Sequence, residues 1–396
     1  MKKLFCSLLI LSNTFLFAQT SDASNKNSLN AGFDTTAYHP FFISSSDKKF
    51  LLNLGLYTQF RYNVNMRQNT PDTSLVSNRG FNLARTRIFL EGEYSPKFHY
   101  HFRVNINAEN SPELMAAYLQ WNMNEKMNIR MGKQFVALGL EDWMYPCELA
   151  GIEFSATDFT YAIWSSFAAQ FHHKVSDKFR YWAAIGNGFY GARRNFSSNG
   201  APSDLTLTGR VEFNPFGNWD LWGNMTGRKN NDFGVLVGVG GGHSMYSNDM
   251  SQIAVGESRN GTQVNVDFSV SHKYLHFFSQ YVYTSRAIEG DNTNRYGSAF
   301  FSTLGCWVTP QLFPFVKADF VGKGNLVGVT EDYFTPGAGI SFYPFNWTNR
   351  YRFTMEYFYL NATLDNTYVN PDGQLGIVES SYGGQHSLRF QLQFGF

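Results

Sequence analysis

The feature that most constrains the fold is a strict alternation of apolar and polar residues in long segments. The clearest case is the final segment, residues 384–396, in which polar residues separate Leu388, Phe390, Leu392, Phe394 and Phe396. A period of two places the two sets on opposite faces of an extended strand. Because the segment ends on a phenylalanine with no polar tail, we interpret its apolar face as a surface in contact with lipid.

The same alternation recurs in residues 50–65, 98–109, 263–270 and 351–359. Beyond the first few residues, the chain has no run of the ~20 apolar residues that a membrane helix needs, which excludes a helical membrane protein. The net charge of +1 argues against a nucleic-acid partner.

A soluble sandwich would alternate too, but three further observations favour a membrane barrel. The alternating segments commonly run for ten to fourteen residues, enough for a tilted strand to cross hydrocarbon. Short turns alternate with long polar loops. Tyr and Trp lie near the ends of the apolar faces, as in an aromatic girdle. The sequence therefore predicts an all-β, antiparallel transmembrane β-barrel.

The number of strands follows from parity. A first count gives seventeen, whereas a single-chain bacterial barrel has an even number. Strand directions counted from both ends agree if residues 214–232 form an elaborated periplasmic connection containing no strand. We therefore predict sixteen strands, with eighteen as the alternative, around a water-filled lumen.

Segment composition predicts three regions. Residues 1–18, with Lys2 and Lys3 before an apolar stretch that ends at Ala18, predict a signal peptide. Residues 19–49 predict a flexible periplasmic extension, and residues 50–396 the barrel. After export, Cys147 and Cys306 remain, too few for a disulfide framework. By analogy with outer-membrane barrels, we expect the last strand to be presented to the barrel assembly machinery.

The region between Phe81 and Glu141 resembles the phosphate-selective porin O and P family. The resemblance rests on residues 81–92, 98–107 and 118–134, including Met131-Gly132-Lys133-Gln134-Phe135. It implies a sixteen-stranded, usually trimeric channel in the outer membrane of a Gram-negative bacterium, with basic residues along the pore.

Strand parity predicts which basic residues line the pore. One hypothesis is a basic wall that passes anions, because a guanidinium matches two phosphate oxygens. The alternative is that these residues pair with Glu91, Glu93 and Glu109 and only solvate a polar interior. The candidates are Arg85, Arg87, Arg103, Arg130, Lys133, Arg210, Arg352 and Arg389.

The loop at residues 136–160 is the candidate constriction. It carries Glu141, Asp142, Trp143, Tyr145 and Glu148. It could fold into the pore or remain an extracellular flap with acidic tips in solvent. If it folds inward, its acids would meet the arginines.

Other site types have less support. The pair His99 and His101 lacks the cysteine or carboxylate spacing of a metal site. The glycines at 238 and 240–242 lack a following helix, so we interpret them as positions of close approach or bending. We expect no catalytic residue, metal or cofactor.

The predicted function is passive diffusion of small polar solutes across the outer membrane. Because the loops lack the strongly basic character of the family, we expect a weak preference for anions, with phosphate as a candidate. A surface receptor or scaffold, or an outer-membrane hydrolase, are the alternatives, and reconstituted conductance would separate them from a channel.

Overall fold

The computed structural model of the protein describes thirteen ranges of the chain. They are residues 29–33, 41–47, 49–68, 75–106, 112–163, 165–187, 205–227, 233–245, 258–288, 294–322, 332–345, 348–361 and 384–395. The predicted signal peptide, residue Phe396 and at least half of the residues of the predicted long loops after β3, β9, β13, β15 and β17 lie outside these ranges.

Eighteen strands occur within the described ranges. They are β1 Leu29–Phe33, β2 Phe41–Ser45, β3 Phe50–Gln68, β4 Leu75–Tyr94, β5 Phe98–Asn105, β6 Glu113–Asn122, β7 Met127–Phe135, β8 Ser165–Lys174, β9 Phe179–Asn187, β10 Leu205–Phe216, β11 Gly234–Met245, β12 Ser258–His272, β13 Leu275–Ile288, β14 Asn294–Cys306, β15 Leu312–Val321, β16 Tyr333–Phe342, β17 Arg352–Leu360 and β18 Gln385–Gly395.

Strands β3 to β18 form the barrel. Each pairs antiparallel with its sequence neighbour, and β18 pairs with β3 from Gln385–Arg67 to Gly395–Tyr57. This closed ring of sixteen strands confirms the predicted barrel. The described part of residues 214–232 contains a 3₁₀ helix, Trp219–Gly223, between β10 and β11, and no separate strand.

The C-terminal strand shows how the alternating pattern is used. Its polar side chains are buried in the interior, and Arg389 and Gln393 are 0% exposed. Its apolar side chains point outward, with Leu392 49% and Phe394 40% exposed in the isolated chain. This arrangement is inverted relative to a soluble protein, as expected when the outer face contacts lipid.

A β-bulge in β4 changes the face of the sheet on which two of the arginines lie. Gln59 pairs with Arg85 and Phe60 with Leu83, so Ala84 is an extra residue between them. Strict alternation would place Phe81 and Arg85 on one face. The bulge shifts the pattern by one, which leaves Phe81 outside and turns Arg85 and Arg87 inside.

The predicted extension at residues 19–49 includes two short strands. β1 pairs with β2, and β2 continues along β3 from Phe41–Leu54 to Ser44–Leu51. The apolar run Phe41-Phe42-Ile43 suits β2 to this pairing, because it extends the sheet beside the leucines that begin β3. Residues 19–28 and 34–40 lie outside the described ranges.

One short α-helix, α1 (Ala156–Tyr161), and a second 3₁₀ helix, Glu141–Trp143, occur between β7 and β8. In the described residues, no helix has the length and apolar character needed to cross a membrane.

Candidate functional site in the barrel lumen

The connection between β7 and β8 folds into the barrel. Leu138 and Ile152 are 0% exposed, and both short helices of this connection are largely buried. We call residues 136–163 the inner loop. Its acidic side chains do not form solvent-facing tips.

A buried carboxylate fixes the inner loop to β3 and β4. Glu153 Oε2 accepts a 2.6 Å hydrogen bond from Arg61 Nη2, and Glu153 Oε1 accepts one from Arg85 Nη2. Arg61 also donates to the Ile152 carbonyl at 3.1 Å. Burial by itself would raise the pKa of Glu153, but the two guanidinium groups outweigh it and lower that pKa to about 2.

A second attachment involves β17. Arg352 donates to the Leu149 carbonyl at 2.6 Å and to the Gly151 carbonyl at 3.1 Å. Glu356 accepts from the Ile152 N–H at 2.7 Å, and it also pairs with Lys317 at 2.5 Å and Arg389 at 2.7 Å. These contacts bond the loop backbone to the wall and compensate the Glu356 charge.

The third attachment joins the inner loop to β10 and explains why glycines occur in the neighbouring strand β11. Arg210 donates to Asp267 at 2.6 and 2.8 Å, to Glu212 at 2.7 Å and to the Leu138 carbonyl at 2.7 Å. A Cβ at Gly238 would lie 2.1 Å from the Arg210 guanidinium, and one at Gly240 would lie 2.1 Å from the Leu138 oxygen. These glycines therefore give the Arg210 cluster and the loop backbone room beside β11.

An apolar core joins the inner loop to the periplasmic connection after β10. The Met225 N–H donates to the Glu148 carbonyl at 2.9 Å, and the Trp307 indole donates to the Thr226 carbonyl at 2.8 Å. Around these bonds, side chains from the loop, the connection and the inner wall pack together, including Leu149, Phe154, Trp222, Met225, Phe278, Phe301, Phe313, Phe315 and Phe358. This side of the lumen is filled by protein.

The opposite wall, formed by β5 to β9, is more open. Its inward side chains Gln120, Asn128, Arg130 and His172 are partly exposed, and the Arg180 side chain is 20% exposed. The inward polar side chains of β12, β17 and β18 are each at most 2% exposed, including Gln263, Asn265, Asp267, Thr354, Glu356, Arg389 and Gln391. Nearer the middle of the same strands, Arg103, Lys133 and Gln170 are only 6%, 8% and 1% exposed. The part of the lumen beside Gln120, Asn128 and Arg130 is therefore the more accessible one.

Basic and aromatic side chains meet beside this open wall. The Arg103 guanidinium lies 4.7 Å from the Phe135 ring centroid and 4.9 Å from that of Tyr145. Arg87 lies 5.8 Å from the Tyr57 ring centroid. Neither arginine forms an ion pair with a described residue, and the buried Nε atom of each has no hydrogen-bond partner among them.

The family follows from comparison with known proteins. The sequence profile of the phosphate-selective porin O and P family matches residues 55–324, more than half of the chain. The chain belongs to this family. It is an outer-membrane porin of the kind found in Gram-negative bacteria.

Solved structures agree on the fold of this porin. The outer membrane channel DcaP of Acinetobacter baumannii superposes with a TM-score of 0.57 at 11% identity, covering 89% of this chain and 99% of that one. OmpT of Vibrio cholerae gives 0.54 at 12% identity, covering 87% and 98%. Its trimer form gives 0.53 at 12% identity, covering 87% and 99%. No curated protein is significantly similar in sequence.

The structure divides the predicted basic residues of the porin into two groups. Arg85, Arg210, Arg352 and Arg389 bond to buried acids or to the inner loop. Arg87, Arg103, Arg130 and Lys133 have no ion pair with a described residue. Arg130 donates to Gln120 Oε1 at 2.6 Å and lies 5.3 Å from the Tyr118 ring centroid.

The three acids considered as possible partners of the inward arginines differ in their contacts. Glu91 lies 3.0 Å from His101 Nδ1, Glu93 is exposed and forms no ion pair with a described residue, and Arg85 bonds to Glu153 instead. Glu109 lies outside the described ranges. No three His, Cys, Asp or Glu side chains among the described residues are arranged to hold a metal ion.

The predicted loop residues occupy distinct positions. Glu141 and Asp142 are buried, and Trp143 donates its indole N–H to the Val136 carbonyl at 3.0 Å. Tyr145 faces Arg103, and Glu148 Oε2 accepts from the Tyr145 N–H at 3.1 Å.

Sequence reasoning missed the two aromatic partners Tyr57 and Phe135 and the apolar core in the lumen. Adjacent aromatic pairs such as Phe277-Phe278 and Phe300-Phe301 were the available signal. Two consecutive aromatic residues in a strand face both the lipid and the lumen, and an aromatic lumen face needs a covering segment.

Proposed function

We propose that this porin lets small hydrophilic solutes diffuse passively across the outer membrane, with a weak preference for anions. Inorganic phosphate is one candidate solute, supported by the family to which the chain belongs. The proposed path runs between the inner loop and β5 to β9, where the inner loop acts as the constriction.

The observation that supports the anion preference is that the buried acids of the lumen are paired with cations, whereas several basic side chains have no ion pair. Buried acids have cationic partners: Glu153 pairs with Arg61 and Arg85, Glu356 with Lys317 and Arg389, and Asp267 with Arg210. On and beside the open wall, Arg87, Arg103, Arg130 and Lys133 form no ion pair with a described residue, and Lys133 has only a longer-range interaction with Glu113. Arg87, Arg103 and Arg130 therefore supply the positive charge along the proposed path.

The acids of the inner loop do not reverse this balance. Glu141 is buried, and burial raises its pKa to about 8, so it is mostly uncharged at neutral pH. Burial and the neighbouring Asp142 raise the pKa of Asp158 well above its usual range. A unit charge 4 Å from a guanidinium gains roughly 4 kcal/mol at an effective dielectric constant near 20. Even a small part of that energy biases permeation.

Exchange of Arg103 for glutamine tests this assignment. The measurement is the zero-current potential of the reconstituted porin across a KCl gradient, which gives the chloride-to-potassium permeability ratio. We expect R103Q to lower the ratio and R87Q to lower it in the same direction. The matched control is R79Q, since Arg79 is an exposed residue of the same strand as Arg87. If R103Q and R87Q had the same chloride-to-potassium permeability ratio as R79Q, Arg103 and Arg87 would not be the source of the anion preference.

We also propose a homotrimer. The support is the family expectation and the trimer form of OmpT, which has the same fold. Chemical cross-linking in native membranes tests it: a three-subunit product is expected, and a product limited to monomers would contradict it.

A further inference from the structure

Three acids of the inner loop lie in the barrel interior, and none of them forms an ion pair with a described residue. Glu141 and Asp142 belong to the 3₁₀ helix, Asp158 belongs to α1, and they are 1%, 7% and 2% exposed. The neighbouring carboxyl groups of Asp142 and Asp158 interact with each other. Because two like charges repel strongly in a buried site, such a pair favours a proton on one of its members.

The hydrogen-bond donors to these acids are neutral. Glu141 accepts from the Ser155 N–H at 2.8 Å, from the Ser155 hydroxyl at 2.6 Å and from Gln280 at 3.3 Å. Asp142 accepts from the Gly139 N–H at 3.4 Å. Asp158 Oδ2 has no partner among the described residues.

Within the described part of the surrounding wall, the nearby cations are bonded to other groups. Arg210 on β10 faces Asp142, but its donors are directed to Asp267, Glu212 and Leu138. Asp267 on β12 and Asp319 on β15 add negative charge beside the cluster. Lys317, near Asp319, bonds to Glu356, and Glu153 of the loop is held by its two arginines.

Ionised carboxylates without cations are strongly disfavoured in such a site. Protons are the simplest compensation, and the raised pKa of Glu141, about 8, agrees with this geometry. In solvent, a glutamate titrates near ~4.3.

We propose that Glu141, Asp142 and Asp158 form a proton-dependent latch that keeps the inner loop docked on the wall of β12 to β15. The released loop can move only toward the open wall of β5 to β9, because protein fills the other side. Release therefore narrows the aqueous path and closes the channel.

The direction of the pH effect follows from linkage. The docked acids bind protons more strongly than the released ones, so the contribution of these three acids to docking is fully present below about pH 4.3. As the pH rises toward 8, the released loop ionises while the docked loop retains its protons, and docking weakens. Each proton changes the docking equilibrium by at most ~10-fold per pH unit.

Single-channel recording between about pH 5 and about pH 8 tests the latch. We expect the closed-time fraction of the wild-type porin to rise across this range, and the double variant E141Q/D158N to remove most of that rise. The control is the acid-to-amide substitution D177N, because Asp177 lies in the β8–β9 turn with its side chain 96% exposed. It should behave like the wild type. A pH-independent wild type, or a full pH effect in E141Q/D158N, overturns the proposal.

Hydrogen exchange of the wild-type porin provides a test that needs no variant. After correction for the intrinsic effect of pH, peptides from residues 136–163 should lose protection from about pH 5 to about pH 8, while peptides from β12 keep theirs. Constant loop protection overturns the latch. Gating is separate from selectivity, so this result is independent of the zero-current potential used to test the proposed function.

Discussion

The substitution Glu153→Gln is expected to release the inner loop from β3 and β4. Glutamine keeps the size of the side chain but removes the charge that compensates Arg61 and Arg85, which are 0% and 3% exposed. Removing one partner of a buried ion pair typically costs about 3–5 kcal/mol. At 1.4 kcal/mol per tenfold change, the docking equilibrium should shift by roughly 10²- to 4 × 10³-fold.

Hydrogen exchange of the folded porin in detergent micelles measures this shift. Peptides from residues 136–163 should exchange faster in E153Q, whereas peptides from β12 and β13 should be unchanged. D177N provides the control, because it removes the acid of an exposed pair in which Lys174 lies 2.8 Å from Asp177. Such pairs contribute at most ~1 kcal/mol. Equal loop protection in E153Q and the wild type would refute the reasoning.

Three further outcomes follow from the same contacts. G240A should disturb the inner loop and increase channel closures, because its Cβ would lie 2.1 Å from the Leu138 oxygen. G241A, whose Cβ would lie 3.8 Å from its closest neighbour, should conduct normally. Identical recordings of the two variants would contradict the close approach at Gly240. Acidification below about pH 4.5 should also weaken docking. The pKa of Glu153 is lowered to about 2, so the stabilising effect of its ion pairs is present above about pH 4.5 and is lost toward pH 2. If hydrogen exchange of the inner loop did not accelerate in this acid range, the stabilising role of Glu153 would be contradicted. Cys147, 6% exposed, should react slowly with maleimide in the wild type and faster in E153Q, and rapid wild-type labelling would show that the loop is not docked.

The barrel could be predicted from sequence because lipid imposes a repeating constraint on every strand. Leu392 and Phe394 must face outward, Arg389 and Gln393 must face inward, and long strands must pair in a closed ring. The same parity placed Arg103 and Arg130 on the inner wall. The connection after β10 was recognised because a barrel needs an even number of strands.

The partners of the inward arginines could not be predicted from parity. Whether Arg85 faces water or Glu153 depends on where the inner loop turns, and those turns are set by carbonyl contacts such as Leu149 to Arg352. Alternation identifies the face of a strand but carries no information about a segment packed against it. The bulge at Ala84 also breaks the alternation on which the prediction relies.

The sign of the zero-current potential of the wild-type porin tests the central claim most directly. Arg87 and Arg103 lie beside the path without an ion pair to a described residue, Glu153 is paired, and the pKa values of Glu141 and Asp158 are raised. Chloride should therefore permeate more easily than potassium in a KCl gradient at neutral pH. A chloride-biased potential that decreases in R87Q and R103Q is the expected result. A potassium-biased potential in the wild type would contradict the account.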